Sequence, residues 1–517
     1  MSFSWTDSRR RQALPIDPRL GEILELSGRH QVVVVEAQTG AGKTLRIAQA
    51  AALADPRGQV ILTQTRRAAC RWNGKRMAWE MGCRPGEAVG WRLSGENAVV
   101  SPATRVTLCM AQSLVNRIRR NGRLPEGLLI IDEAHERSVE VDMLLYAIKK
   151  ALPASPRTRV IVTSATIDTK KFSDFFGGAP VVSVEGRCYP VSTEVVRLLH
   201  GEHHSQAAAR AAGMALNRFL KGTLCVPVPD GSGTQSVSKG TVLVLLPGKD
   251  DIASVMRSLK REVEQSGAQD RVQILSCHGE STQAEQDAAQ TPVPEGTIRF
   301  VCGTEILRSS VTVQDTVWVV DSLQIKRKLT DARGVGHLAK IAVSRAEADQ
   351  AKGRAGRTQA GFYMPVSFKE EYERLNLWPQ PAIVREPIAS VVLQISAMGC
   401  APDELRQFPD PPSEEKIRVA VGRLQALGAL DENEQITPTG ELLVRFPVDP
   451  ERAKALVTAD TLGVLAEAVV VSAILEEEGI FHRGKPDAKL LLEEDSLRLV
   501  LANAQMNYSR WEVASTP

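Results

Sequence analysis

The chain has 517 residues, of which 43% are hydrophobic and 24% charged, with a formal net charge of +3. At about 150 residues per domain, that length suggests three or four domains, each able to bury its own core. So small a net charge excludes nucleic-acid binding through the global field, so any such site must be built from local arginines.

The N-terminal "MSFSWTDSRRRQ" lacks the apolar core of a signal peptide, and no uncharged apolar run approaches the ~18 residues of a membrane span. The eight cysteines never form a CxxC pair and read as reduced thiols, mostly small core residues. A soluble, cytoplasmic chain without membrane contact is expected.

The first strong signal is "VVVVEAQTGAGKTLRIAQA", Val32 to Ala50. Four valines read as a strand covered on both faces, and helical spacing of apolar residues begins at Thr44. Between them the loop Ala37, Gln38, Thr39, Gly40, Ala41 and Gly42 is free to turn tightly, so backbone amides and a helix N-terminus face an anion. In that cradle Lys43 reaches the outer phosphates of a nucleotide and the Thr44 hydroxyl holds Mg²⁺.

"QVILTQT", "RVTLCM", "GLLIIDEA" and "RVIVTSAT" are further strands alternating with helix-like segments, which implies a mainly parallel sheet over residues 1–190. Asp132 and Glu133 follow one of these strands directly and so sit at the carboxyl edge, where such sheets bind ligands. One carboxylate can organise Mg²⁺ while the other orients and deprotonates a water. Earlier in the chain, Trp72 and Trp79 lie one helix face apart and read as packing residues rather than an RNA stacking platform.

"GEHHSQAAARAAG" and "PVPDGSGTQSVSKG" read as loop by composition, and the histidines at 200–204 as solvated polar residues rather than metal ligands. Strand and helix patterns restart at "TVLVLLPGKDDIASVMRSL", giving a second α/β domain over 191–366. Near its end "DQAKGRAGR" places Arg354 and Arg357 among small residues, a pattern suited to a phosphoryl group that gains charge during transfer. Residues 367–450 read as a helical domain with a β-wing, "QITPTGELLVRFPVD" as a small hairpin, and 451–517 as helices.

Together these motifs resemble the DEAH-box RNA helicases of superfamily 2, and in particular their bacterial branch. "AQTGAGKT", "TQTRRAA", "DEAH" and "SAT" match motifs I, Ia, II and III. "LVLLPGKDDI", "GTEILRSSVTV" and "QAKGRAGR" match motifs IV, V and VI, and "FPDPPSEEKIRVAVGRLQALGAL" resembles the winged-helix domain after the motor. The resemblance implies an α/β fold: two RecA-like parallel-sheet lobes, a winged-helix domain and a short helical, ratchet-like segment. ATP, with other NTPs also accepted, would bind between the lobes with Mg²⁺.

Carried over by position, Asp132 coordinates the metal, Glu133 activates water, and His135 couples to the second lobe. Ser164 and Thr166 link hydrolysis to RNA, while Gln350, Arg354 and Arg357 face the γ-phosphate. Arg66, Arg67 and Thr304 touch the RNA backbone without reading sequence, Arg76 stacks on the nucleotide base, and "DSLQIKRKLTDARGVGHLAKIAVS" sits where the family has a strand-separating hairpin.

Motif V departs from the usual TNIAETS, so that Glu305 and Arg308 bring altered charges to the RNA path. Ala351 replaces an arginine in motif VI, and Gln290 stands where an aromatic base-stacker is expected. The family's longer ratchet and OB-fold are not reached by this sequence. Weak stimulation by single-stranded RNA is therefore expected, with poor unwinding of long duplexes unless a protein activator supplies that surface. The expectation is a monomeric ATP-dependent RNA helicase or RNA-remodelling ATPase moving 3′-to-5′. The competing readings are a weakly cycling, nucleotide-gated RNA-binding scaffold and a DNA-acting motor.

Overall fold

The computed structural model describes residues 14–37, 41–94, 96–164, 169–185, 189–227, 233–279, 281, 283–309, 313, 315–330, 336–357, 359–446 and 448–476. Described residues up to Glu386 form one compact unit, apart from the short segment Leu93–Asn97, and those from Pro387 belong to a second.

The first lobe is built on strands β1 (Val32–Ala37), β2 (Val60–Gln64), β3 (Val89–Arg92), β4 (Val106–Met110), β5 (Gly127–Ile131), β6 (Thr158–Ser164) and β7 (Val181–Val184). They lie in the order β3-β4-β2-β5-β6-β1-β7, every neighbouring pair parallel. Helices α1 (Leu20–Arg29), α2 (Lys43–Ala54), α3 (Arg67–Glu80), α4 (Ala111–Asn121), α5 (Val139–Ala151) and α6 (Thr169–Phe175) supply the crossovers. The central strands are buried on both faces, as their unbroken Val, Ile and Leu runs require. Strands β3 and β7 escape a periodicity search because each has only four residues and lies at a sheet edge.

The second lobe contains β8 (Val191–Thr193), β9 (Val196–Arg197), β10 (Cys225–Pro227), β11 (Thr234–Ser236), β12 (Gly240–Leu245), β13 (Val272–Cys277), β14 (Ile298–Gly303), β15 (Thr316–Asp321), β16 (Gln324–Thr330), β17 (Gly336–Ala342) and β18 (Gly361–Ser367). A parallel sheet runs β13-β14-β12-β15-β18-β8, with β9 also on β18, while β16 and β17 form an antiparallel hairpin from Gln324↔Ala342 to Thr330↔Gly336. Its helices are α7 (His204–Leu220), α8 (Lys249–Ser266), α9 (Gln283–Gln290), α10 (Ile306–Ser309), α11 (Arg345–Ala355), α12 (Lys369–Glu373) and α13 (Ala382–Arg385). Residues 368–386, beyond the last strand, group with this first unit.

Helix α7 corrects the reading of "GEHHSQAAARAAG" as loop. The Gly and His residues at its start mask a run of alanine, the strongest helix former, and His203 and Gln206 close a capping box at its N-terminus. Its alanines are small enough to bring α7 close to α8. A Cβ at Gly213 would fall 2.4 Å from the Glu262 carboxylate.

The second unit contains α14 (Ala389–Ser396), α15 (Glu414–Ala426), α16 (Pro438–Leu443), α17 (Pro450–Thr461) and α18 (Leu465–Glu476). The hairpin expected at "QITPTGELLVRFPVD" reduces to a single bridge, Leu430↔Ile436. Pro438 then sits at the start of α16 and the Thr437 hydroxyl accepts the Gly440 N–H at 3.0 Å, so the cap starts a helix where a strand was expected.

Candidate active site

Strand β1 delivers the chain to the cradle, and Gly42 caps α2 with φ 92°. A side chain there is blocked twice, by the left-handed backbone and by Leu14 Cδ1, 2.5 Å from the position of a Cβ. Ala37 and Ala41 are buried beside it. Gln38, Thr39 and Gly40 of the loop, and Thr166 of the "SAT" segment, lie outside the described residues.

Lys43 opens α2 and is 3% exposed, with Nζ 3.2 Å from Glu133 Oε1. Asp132, 2% exposed at the end of β5, is held from two sides. Thr163 Oγ1 donates to Oδ1 at 2.6 Å and Gln64 Nε2 to Oδ2 at 3.0 Å. Burial and then Glu133 push the Asp132 carboxyl up, opposed by Lys43 and by hydrogen bonds from Thr163 and Thr44. A buried carboxylate beside a second one and a threonine hydroxyl is a donor set for a hard divalent cation, so Thr44 and Asp132 fit Mg²⁺.

Glu133 adopts a left-handed backbone, φ 54° and ψ 39°, a conformation costly for a residue with a Cβ and found where geometry at a site demands it. The bend turns its carboxylate back toward Lys43 and His135. His135 Nε2 lies 3.1 Å from Glu133 Oε2. Burial first, and then Lys43, lower the His135 pKa to about 3, so the imidazole is neutral at neutral pH and the contact is no ion pair.

Helix α11 brings the second lobe to this centre. Arg354 is 3% exposed and its Nε donates to the Arg308 carbonyl at 2.7 Å. Burial and the neighbouring Arg357 depress its pKa well below the ordinary arginine value, while Glu133 of the first lobe acts in the other direction. Gln350 lies one turn earlier on the same helix. Among the described residues, Ser164 Oγ and Gln350 Nε2 are buried with no hydrogen-bond partner. Cations from both lobes around orphaned polar atoms fit a polyanionic ligand such as a nucleoside triphosphate.

Arg76 lies on the exposed side of α3, its Nε on Glu80 Oε1 at 2.6 Å and its guanidinium 5.0 Å over the Trp79 ring. Trp72 and Trp79, expected to pack, are 42% and 49% exposed, because the side of α3 facing the sheet is taken by small and medium residues such as Cys70, Met77 and Ala78. Arg66 caps α3 and sits 3.7 Å from Glu305 Oε1 of the second lobe, Arg67 is exposed beside it, and Thr304 directly follows β14.

The two motif V substitutions separate in space. Arg308 does not face an RNA path. It is buried at 3% exposure and its guanidinium grips Asp321, which also accepts from Tyr363 Oη at 2.9 Å. Ala351 is buried in the same core cluster as Tyr363. Gln290 ends α9.

Sequence reading missed Gln64 and Thr163, two of the donors that orient Asp132, and Arg327 and Glu347, which join the hairpin to α11 by an ion pair of 2.8 Å. Gln64 and Thr163 each end or nearly end a strand next to a recognised motif, which was the available signal. Arg327 and Glu347 left none, since only the fold makes them neighbours.

Residues 21–175 match the DEAD/DEAH box helicase family, residues 228–359 the helicase conserved C-terminal domain, and residues 420–448 the winged-helix helicase-associated domain HA2. The chain belongs to the DEAD/DEAH-box helicase family. It is 32% identical over 477 residues to the probable ATP-dependent RNA helicase DHX34 of Homo sapiens, covering 92% of this chain and 41% of that one. Human ATP-dependent RNA helicase DHX30 is 32% identical over 507 residues, covering 93% and 42%. The crystal structure of Escherichia coli DEAH/RHA helicase HrpB superposes with a TM-score of 0.82 at 27% identity, covering 97% of this chain and 61% of that one. This DEAH-box chain thus spans about two fifths of the human relatives. Its two parallel-sheet lobes are RecA-like, and a winged-helix domain follows them.

Proposed function

We propose that the chain is an ATP-dependent RNA helicase or RNA-remodelling ATPase that moves 3′-to-5′. The observation that carries this reading is the meeting of Lys43 and Glu133 from one lobe with Arg354 and Arg357 from the other, around buried polar atoms without partners. Mg²⁺, held by Thr44 and Asp132, would neutralise phosphate charge. Glu133 orients and deprotonates the attacking water, and neutral His135 fixes the Glu133 carboxylate. Arg354 and Arg357 stabilise the charge that develops on the transferred phosphoryl group. Gln350 faces the γ-phosphate beside them, Ser164 links hydrolysis to RNA engagement, and Arg66, Arg67 and Thr304 hold RNA phosphates.

Among the described residues no helix is long and apolar enough to cross a membrane. The buried free thiols Cys109, Cys277, Cys302 and Cys400 support a reducing, cytoplasmic setting. The reading includes a monomer that works with a protein activator.

A steady-state Mg²⁺-ATPase assay with no nucleic acid, with single-stranded RNA and with single-stranded DNA tests it. Hydrolysis stimulated by RNA above DNA is the expected result. Stimulation by DNA alone would identify a DNA motor, and RNA binding without turnover a scaffold. Duplexes with 3′ or 5′ overhangs then test direction.

A further inference from the structure

Glu305 sits in the turn between β14 and α10, at the meeting point of two arginines. Arg66 Nη2 of the first lobe stands 3.7 Å from its Oε1, and Arg327 Nη1 of the hairpin strand β16 is paired with its Oε2. Arg327 is anchored on its other side, where Nη2 holds Glu347 Oε1 at 2.8 Å. Glu347 is itself fixed by the Ser344 N–H at 2.7 Å and hydroxyl at 2.8 Å. One half of the Arg327 fork is therefore committed to the protein and the other half to Glu305.

All three side chains remain within reach of water, Arg66 at 33%, Glu305 at 36% and Arg327 at 23% exposure. A half-exposed carboxylate 3.7 Å from an arginine is beyond hydrogen-bond distance and contributes little. A phosphate between two guanidiniums gains charge-assisted hydrogen bonds from both.

We propose that Arg66 and Arg327 form one site for a backbone phosphate of RNA, occupied by the Glu305 carboxylate until RNA displaces it. The inference rests on the proposed action on RNA. It assigns Arg327 as a phosphate ligand and Glu305 as an internal competitor that lowers RNA affinity. Because Arg66 and Arg327 come from different lobes, the incoming phosphate takes over a link between them that Glu305 already makes.

The test is fluorescence anisotropy of the full chain with a labelled single-stranded oligouridylate, in a salt series. Glu305→Gln keeps the shape and removes the charge, so binding should tighten about 5- to 10-fold at low salt. Its slope of log affinity against log salt should stay close to that of wild type, because the same phosphate is neutralised in both complexes. Glu305→Ala, the second variant should the first misfold, carries the same expectation, and Arg327→Gln should bind about 10-fold more weakly than wild type. Wild type that binds RNA with unchanged or weaker affinity in both Glu305 variants would overturn the inference alone. Absence of RNA binding by wild type and variants alike would overturn the proposed function, and the inference with it.

Discussion

Lys43 Nζ and Glu133 Oε1 stand 3.2 Å apart, so the cation of the phosphate cradle is paired with the carboxylate proposed to activate water. In the proposed mechanism a γ-phosphate would draw Lys43 away from Glu133, and that exchange would free the carboxylate as the nucleotide arrives. Binding and base release are one event in this geometry.

Glu133→Gln should therefore bind ATP several-fold more tightly than wild type, since no carboxylate competes for Lys43, while turnover falls by about 10³ or more. Lys43→Ala should lose detectable nucleotide binding. Equilibrium titration with a fluorescent ATP analogue, followed by single-turnover hydrolysis, separates the two. Wild-type turnover in the Gln variant would remove Glu133 from its proposed role.

Arg354→Ala and Arg357→Ala should leave ATP affinity within a few-fold of wild type and slow hydrolysis by about 10³–10⁵, the range for arginines that act on the transition state. The readout is the division between Kd and the single-turnover rate. A loss confined to Kd would reassign the pair to ground-state binding.

Much of this centre was legible in the sequence because each half is local. Val32 to Ala50 is a strand, a loop and a helix in one stretch, and Asp132 and Glu133 directly follow an apolar run. Long-range chemistry was not legible. Arg308 looked like an altered charge near RNA, yet Asp321, 13 residues later at the end of β15, draws it into the core. Helix α7 was lost to the polar residues at its start, although its alanines carried the helical signal. Trp72 and Trp79 had helical spacing, which gives a shared face but says nothing about whether that face meets the sheet or water.

The Arg308–Asp321 pair yields a stability prediction. Asp321→Ala strands a buried guanidinium and removes the acceptor of the Tyr363 hydroxyl, so it should cost about 3–5 kcal/mol. Replacing both, as Arg308→Met with Asp321→Leu, should cost clearly less because no buried charge remains. Denaturant unfolding of the two variants decides this, and a double variant as unstable as the single would refute it.

Arg66→Ala combined with Arg67→Ala should weaken single-stranded RNA binding evenly across base sequences. The same pair of changes should flatten the salt slope by about 1.4, because two fewer phosphates are neutralised. Anisotropy with homopolymeric and mixed RNAs measures both. A base preference that survives high salt would be incompatible with binding through the backbone alone.

Glu136 gives the protein a pH dependence with a definite sign. Burial first, and then Glu133, raise its carboxyl from an ordinary 4.5 to about 7, with Glu305 adding to the rise and Arg66 and a Thr65 hydrogen bond opposing it. The folded chain thus keeps a proton on Glu136 that the unfolded chain releases above pH 4.5. Stability from this group is complete below that pH and is lost as pH rises through about 7. Glu136→Gln mimics the protonated form and removes the dependence. The Tm of the variant minus that of wild type should therefore grow from pH 5 to pH 8, by the equivalent of about 1–2 kcal/mol once solvent access is allowed for. Glu305→Gln removes one of the charges that raise Glu136, so in that background the growth should be smaller and shifted to lower pH. Melting curves of the four proteins at pH 5, 6, 7 and 8 are the measurement. A Tm difference that stays flat across the series would mean that Glu136 is ionised in the folded chain, with Arg66 rather than burial governing its charge.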